Sequence, residues 1–226
     1  MNFITVCTDA YPMLYAEIIH TRMAHISNIP FNHYCITDRA AEVGDWAVPI
    51  SPTVKVDGWW NKLNLFSDET PATNILYMDL DIVILNNFDE EIYAMSESLS
   101  DISCVSDAIN WMGVKFSSSL MYIKKKPAHI FNYFKNNYAE ICGKPGGDQV
   151  WLGPLLKNVN YIDEEYPDLK KNLKFHLSHI DKNQIQIPNM ISKNIKLVDC
   201  GGRPKPHELE MIPYIRDNWH KIRDSL

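Results

Sequence analysis

Asp79 and Asp81 stand one residue apart inside the apolar run ILYMDLDIVIL, residues 75–85. A strand covered on both faces reads as an unbroken Val/Ile/Leu run. An ionised carboxylate within it is costly unless it is paired or bound to a cation. The acids escape that cost at the carboxyl end of a strand, where the chain leaves the sheet into the crevice in which open α/β sheets bind ligands. If the segment stays extended, side chains alternate and both carboxylates point the same way. Two hard oxygen donors side by side suit Mn²⁺ or Mg²⁺, ions that keep waters and take phosphate oxygens as further ligands. The same pair also suits a nucleophilic Asp followed by an acid/base Asp. The plainest alternative is two turn acids that cap backbone or meet a surface Lys.

The elements that position this pair follow from periodicity. FITVC (3–7), HYCITD (33–38), 74–79, DISCVSD (101–107) and SSSLMYIK (117–124) read as strands. Residues 12–27 carry apolar positions at helical spacing and stop at Asn28 and Pro30. WWNKLNLF (59–66), EEIYAM (90–95), 127–142 and 148–157 read as helical, with KPGG (144–147) as the break before the last. Short strand candidates follow at 159–162 and 195–199, and a surface helix at 208–223. Strands alternating with helices predict an α/β fold with a mostly parallel central sheet flanked by helices. No linker or repeat divides the chain. It reads as a single domain, 1–226, whose two halves divide at about residue 100.

Composition excludes several classes. The chain has 226 residues, 46% hydrophobic, with a formal net charge of -6. No basic stripe marks a nucleic-acid surface, and Lys124–Lys126 reads as a solvated strand end. Five cysteines with no CxxC pair fit a reducing compartment better than a disulfide scaffold. No window is long and apolar enough for a transmembrane segment, and the N-terminus lacks the pattern of a signal peptide. A cytoplasmic protein is expected, with peripheral attachment at the inner face of a membrane as an alternative. The tail residues Trp219, His220, Lys221 and Arg223 suit an amphipathic closing helix or contact with a membrane surface.

Five segments in order, GWWNKL (58–63), ILYMDLDIVI (75–84), SSSLMYI (117–123), GGDQVWL (146–152) and GGRPKPHE (201–208), resemble the retaining nucleotide-sugar transferases of glycosyltransferase family 8. Glycogenin and the lipooligosaccharide galactosyltransferases belong to that family, and the chain looks closest to its small bacterial or phage-borne members. The resemblance implies a GT-A fold and a nucleoside-diphosphate-sugar donor, with UDP-sugars favoured. It implies a glycan, lipid-linked glycan or protein as acceptor. Within FITVCTDAY, Thr8, Asp9 and Tyr11 become candidates for base and ribose, with Asp38 a weaker one; Thr8-Asp9 also reads as a plain helix cap. Lys62 is implied near the sugar phosphate; the Trp pair beside it reads as core and pocket wall in preference to a stacking platform. Asp79 and Asp81 match the metal-binding DxD, and Leu80 between them is implied at the donor.

Ser118 and Ser119, with Ser117, are implied near the donor sugar, and any of them also reads as an ordinary strand start. Asp148 is implied on sugar hydroxyls and Gln149 near the anomeric carbon, although GGDQ by itself is a Gly-rich turn opening a helix. Gly202, Arg203 and Lys205 match the segment that holds the diphosphate, Lys205 stabilising the leaving group. The family's third metal ligand is a His; counting back six residues from Lys205 its place falls on Asp199, itself a hard ligand, and by the family's shorter spacing it falls on Gly201. Metal ligands are therefore expected at Asp79, Asp81 and Asp199, and catalytic roles at Asp148, Gln149 and Lys205. Two rivals stand beside this. DLDIV also fits the haloacid-dehalogenase phosphatases, but these carry DxD on their first strand. The His-to-Asp change admits a catalytically silent nucleotide-sugar-binding module.

Overall fold

A computed structural model of the chain describes residues 1–8, 11–107, 110–173, 193–202 and 204–226. Seven strands form the central sheet in the order β3-β2-β1-β4-β7-β6-β8. They are β1 (Asn2–Val6), β2 (Asn32–Ile36), β3 (Val48–Ile50), β4 (Thr73–Met78), β6 (Ile102–Ser106), β7 (Phe116–Lys125) and β8 (Val159–Tyr161). Only β7 runs against its neighbours; every other pairing is parallel. The expected α/β fold with a mostly parallel sheet is what forms.

The alternation along β4 shows why both faces are covered. Leu76 and Met78 face one core with Phe3 and with Ile18, Ile19 and Met23 of α1 (Leu14–Ile26). Ile75 and Tyr77 face a second core. That core holds Leu63 and Phe66 of the 3₁₀ segment Gly58–Phe66, with Ile130 and Phe134 of α3 (Ala128–Cys142). The first core extends across a second sheet, ordered β5-β10-β9, made of β5 (Ile82–Ile84), β9 (Lys170–Asn172) and β10 (Leu197–Asp199). β10 pairs antiparallel with β5, setting Asp199 opposite Ile82, and the Cys200 N–H donates to the Asp81 carbonyl at 3.0 Å. α2 (Asp89–Glu97) and α4 (Gly147–Leu152) complete the helices that matter here.

Four local expectations are corrected. Residues 79–81 do not stay extended: β4 ends at Met78 and the chain turns before β5. Residues 58–66 form 3₁₀ helix, and α4 stops at Leu152, where Gly153 and Pro154 tighten the chain into another 3₁₀ turn. The closing helical segment begins at Pro213 and is no free surface helix, because Ile215, Trp219 and His220 are buried in it. Trp219 packs edge-on against Tyr15 at 5.0 Å between ring centroids, which removes it from any membrane contact. Among the described residues no helix is long and apolar enough to cross a membrane.

Candidate active site

The carboxyl end of β4 carries a cluster of alternating charge. Lys62, buried on the 3₁₀ segment, lies 2.9 Å from Asp79 and 3.4 Å from Asp148, and donates to Ser118 Oγ at 2.9 Å. Burial works against its ammonium, but Asp148 and then Asp79 outweigh that and raise its pKa. Tyr77 also donates its hydroxyl to Asp79. Burial pushes the Asp79 carboxyl up to about 6; Lys62 opposes the shift and the neighbouring Asp81 adds to it. Asp81 belongs to a second group. Lys205 Nζ donates to it at 2.7 Å and Tyr11 at 2.9 Å, and Lys205 also donates to the Tyr11 hydroxyl. The turn at 79–81 thus sends the two carboxylates to different lysines, although they stay close enough to repel one another. Leu80 between them buries its side chain in the core and presents only backbone to the site.

Asp199 stands apart from this pair. Its Oδ2 accepts from Lys170 Nζ at 2.7 Å and its Oδ1 from the Gly201 N–H at 2.8 Å. Lys170 also donates to Ser119 Oγ at 2.7 Å. Burial alone would raise the Asp199 pKa; Lys170 overcomes this and holds it below the usual value. The third carboxylate expected at the metal, Asp199, is thus held by Lys170 and the Gly201 N–H, and among the described residues no three His, Cys, Asp or Glu side chains gather as a metal site. Asp79 and Asp81 remain suited to a divalent cation. Both are hard oxygen donors at the carboxyl end of a central strand, and although each meets a lysine, Asp81 still raises the Asp79 pKa.

The other candidates fall at or near this cluster. Ser117, Ser118 and Ser119 are buried on β7, with Ser117 and Ser119 hydroxyls 3.0 Å apart. Asp148 opens α4 behind Gly146 and Gly147, both at positive φ, a backbone that favours glycine. Its Oδ2 is buried and has no hydrogen-bond partner among the described residues, since Lys62 meets it only as an ion pair. Gln149, by contrast, donates its amide to Asp107 at 2.8 Å. Thr8 and Asp38 line a recess of about 130 Å³ at the ends of β1 and β2, where Asn61 Nδ2 donates to Thr8 Oγ1 at 3.2 Å. Gly202 has φ 86° in the segment that leads to Lys205. Asp9 and Arg203 lie outside the described residues.

Two residues that sequence reasoning missed bear on the site. Lys170 is one; it sits on a three-residue strand whose pairing no local pattern announces. Arg39 is the other; its Nη2 donates to the carbonyls of Thr8 at 2.9 Å and Tyr11 at 2.6 Å, tying the β1 loop to the end of β2.

This topology, with its acidic turn after the fourth strand, is a GT-A-type fold, and solved structures share it. The chain superposes on an active-site mutant of LgtC with a TM-score of 0.69 at 12% identity, covering 100% of this chain and 96% of that one. It superposes on the glycosyltransferase GlyE of Streptococcus pneumoniae TIGR4 with a TM-score of 0.68 at 13% identity, covering 99% of this chain and 62% of GlyE. At the level of sequence it is 29% identical over 158 residues to a glycogenin of Komagataella phaffii, spanning 66% of this chain but only 37% of that protein's length. No protein-family model matches. The chain is thus similar in sequence to a glycogenin and shares its fold with LgtC and GlyE.

Proposed function

We propose that the chain transfers a sugar from a nucleoside-diphosphate sugar, with UDP-sugars as the favoured donors, to an acceptor hydroxyl with retention of configuration. The acceptor is a glycan, lipid-linked glycan or protein. The observation that carries this reading is the convergence of Asp79, Asp81 and Asp148 with Lys62 and Lys205 at one strand end. Such a cluster offers carboxylates to a cation and ammonium groups to a diphosphate. LgtC has been solved with donor and acceptor sugar analogues, which supports a sugar site on this fold.

Asp79 and Asp81 would hold Mn²⁺ or Mg²⁺, which supplies positive charge to the diphosphate. Lys205 and Lys62, released from the carboxylates they now neutralise, would carry the negative charge that builds on the departing nucleoside diphosphate. Thr8, Tyr11 and Asp38 would take the nucleoside, with Asp9 and Arg203 as candidates beside them. Ser118 and Ser119 would orient the donor, with backbone from Leu80 and Gly202. The unpartnered Asp148 Oδ2 would accept from a sugar hydroxyl, a use that removes the cost of leaving a buried acceptor unmet. Gln149 would border the sugar once it leaves Asp107.

Release of nucleoside diphosphate from a panel of nucleotide sugars, with and without a chelator, tests the reading. Metal-dependent release that Asp81→Asn lowers about 100-fold is expected. Release at the wild-type rate by that variant would overturn the metal assignment. A silent binding module is favoured by one observation, the commitment of Asp199 to Lys170. It predicts donor binding without release. The phosphatase reading has no such support: DxD follows β4, which lies beside β1 in mid-sheet, and is not on the first strand.

A further inference from the structure

A cleft of about 550 Å³ opens between residues 55–60 and the last turns of α3. Its wall carries a divided tryptophan pair. Trp60 is buried, whereas Trp59 is 63% exposed; opposite it Tyr138 is 43% exposed. The Trp59 indole lies against the backbone that opens α4: a Cβ added to Gly147 would stand 2.7 Å from its Nε1. The next residue is Asp148, which faces Lys62 and through it Asp79. The cleft therefore adjoins the charged cluster, and it meets the recess lined by Thr8 and Asp38 at Lys55, Val56 and Asp57, which line both.

We propose that this cleft is the acceptor subsite and takes a sugar ring of a glycan, stacked on Trp59 and Tyr138; the proposal rests on the transferase reading. Several features point to a carbohydrate. A pyranose presents one face of weakly positive C–H groups, which packs on the negative face of an aromatic ring. Its rim of hydroxyls needs mixed donors and acceptors, and Lys55 and Asp57 stand on the cleft wall with the rings. The volume falls within the range of small-molecule sites, about 300–1,000 Å³. A nucleoside, the other flat partner of aromatic rings, has the adjoining recess at the ends of β1 and β2, which carries Thr8 and Asp38. The chain spends two large exposed aromatics on a concave wall one residue from Asp148, where an acceptor must lie if transfer is to occur.

The test titrates the full chain, with UDP and Mn²⁺ present, with lactose and with maltotriose. Tryptophan fluorescence and saturation-transfer NMR read the binding. At least one sugar is expected to bind saturably, and Trp59→Ala and Tyr138→Ala are each expected to weaken it about tenfold. Circular dichroism of both variants checks the fold, which the exposure of both rings should spare. Absence of binding by either sugar, or undiminished binding by Trp59→Ala, overturns the proposal, as does binding of unstructured peptide alone. Nucleoside diphosphate release by the wild-type chain is measured in parallel. Release without sugar binding sinks the cleft and leaves the transferase reading standing. Loss of both donor binding and release sinks that reading, while Trp59-dependent sugar binding still decides the cleft.

Discussion

Replacing Lys170 with methionine removes one half of a buried ion pair and leaves Asp199 behind. The two side chains are 8% and 7% exposed and meet at 2.7 Å. Breaking such a pair costs about 3–5 kcal/mol, because the surviving charge is left desolvated. The Gly201 N–H still bonds Asp199 Oδ1, which favours the lower figure. For a chain of this size 1 kcal/mol moves Tm by about 2–4 °C, so Lys170→Met should melt about 6–12 °C lower at pH 7. The pH dependence is a sharper check. The folded Asp199 carboxyl lies below its usual 3.8, so its contribution is present above that value and is lost as pH falls through the folded pKa. In Lys170→Met burial is opposed only by the hydrogen bonds from Gly201 and Ser119, and the same carboxyl rises. Protonation then relieves the variant, and the gap to wild type narrows as pH falls from 7 towards 4. The double variant Lys170→Met, Asp199→Leu should recover most of the loss, since an apolar pair of similar volume is often as stable as the buried ions. Differential scanning fluorimetry across pH measures all three proteins. A shift under about 2 °C for Lys170→Met at pH 7, or a gap that ignores pH, would refute the claim that this pair is a charged, buried unit.

Further outcomes follow from the same geometry. Asp79, pushed up to about 6, must lose its proton to hold a cation, so Mn²⁺ affinity measured by calorimetry should fall about tenfold for each pH unit below 6, and Asp79→Asn should remove that dependence. In the metal-free chain the sign is opposite: the folded state holds the Asp79 proton more tightly, so its stabilising contribution is full below about pH 4 and disappears as pH rises through 6. Urea denaturation at pH 5 and pH 7 should show that difference against Asp79→Asn. Trp219→Ala should cost about 3–5 kcal/mol in the same assay, because its ring is fully buried against Tyr15; a cost below about 1 kcal/mol would return the closing segment to the surface.

The carboxylate pair, the order of the motifs and the strand–helix alternation are local facts, and the sequence carries them without help. Apolar runs specify β1 and β4 because strands covered on both faces favour apolar residues, and LMYI marks β7 beyond its three buried serines. Asp148 at the start of α4 was legible for a similar reason, since a Gly-Gly turn followed by an acid is a helix opening. Gln149 shared that signal, yet its partner is Asp107, set by packing between elements far apart in the chain. Of the second sheet only β10 was legible, within the strand candidate 195–199. β5 and β9 have three residues each, too few for any period to show, and the sheet forms only because β10 returns alongside β5. That return decides the partner of Asp199. By sequence alone Asp199 holds the place of a metal ligand; in the fold Lys170 reaches it first, because β9 runs parallel to β10 and brings an ammonium to a carboxylate that burial would otherwise neutralise. The two tryptophans show the same division. Sequence placed both beside the donor as core and wall, and only the 3₁₀ turn of Gly58–Phe66 sent Trp60 inward and left Trp59 facing the cleft. What the sequence determined is which chemistry-bearing residues exist and the strands that carry them; which of them meet is a matter of long-range pairing, and that is decided in three dimensions.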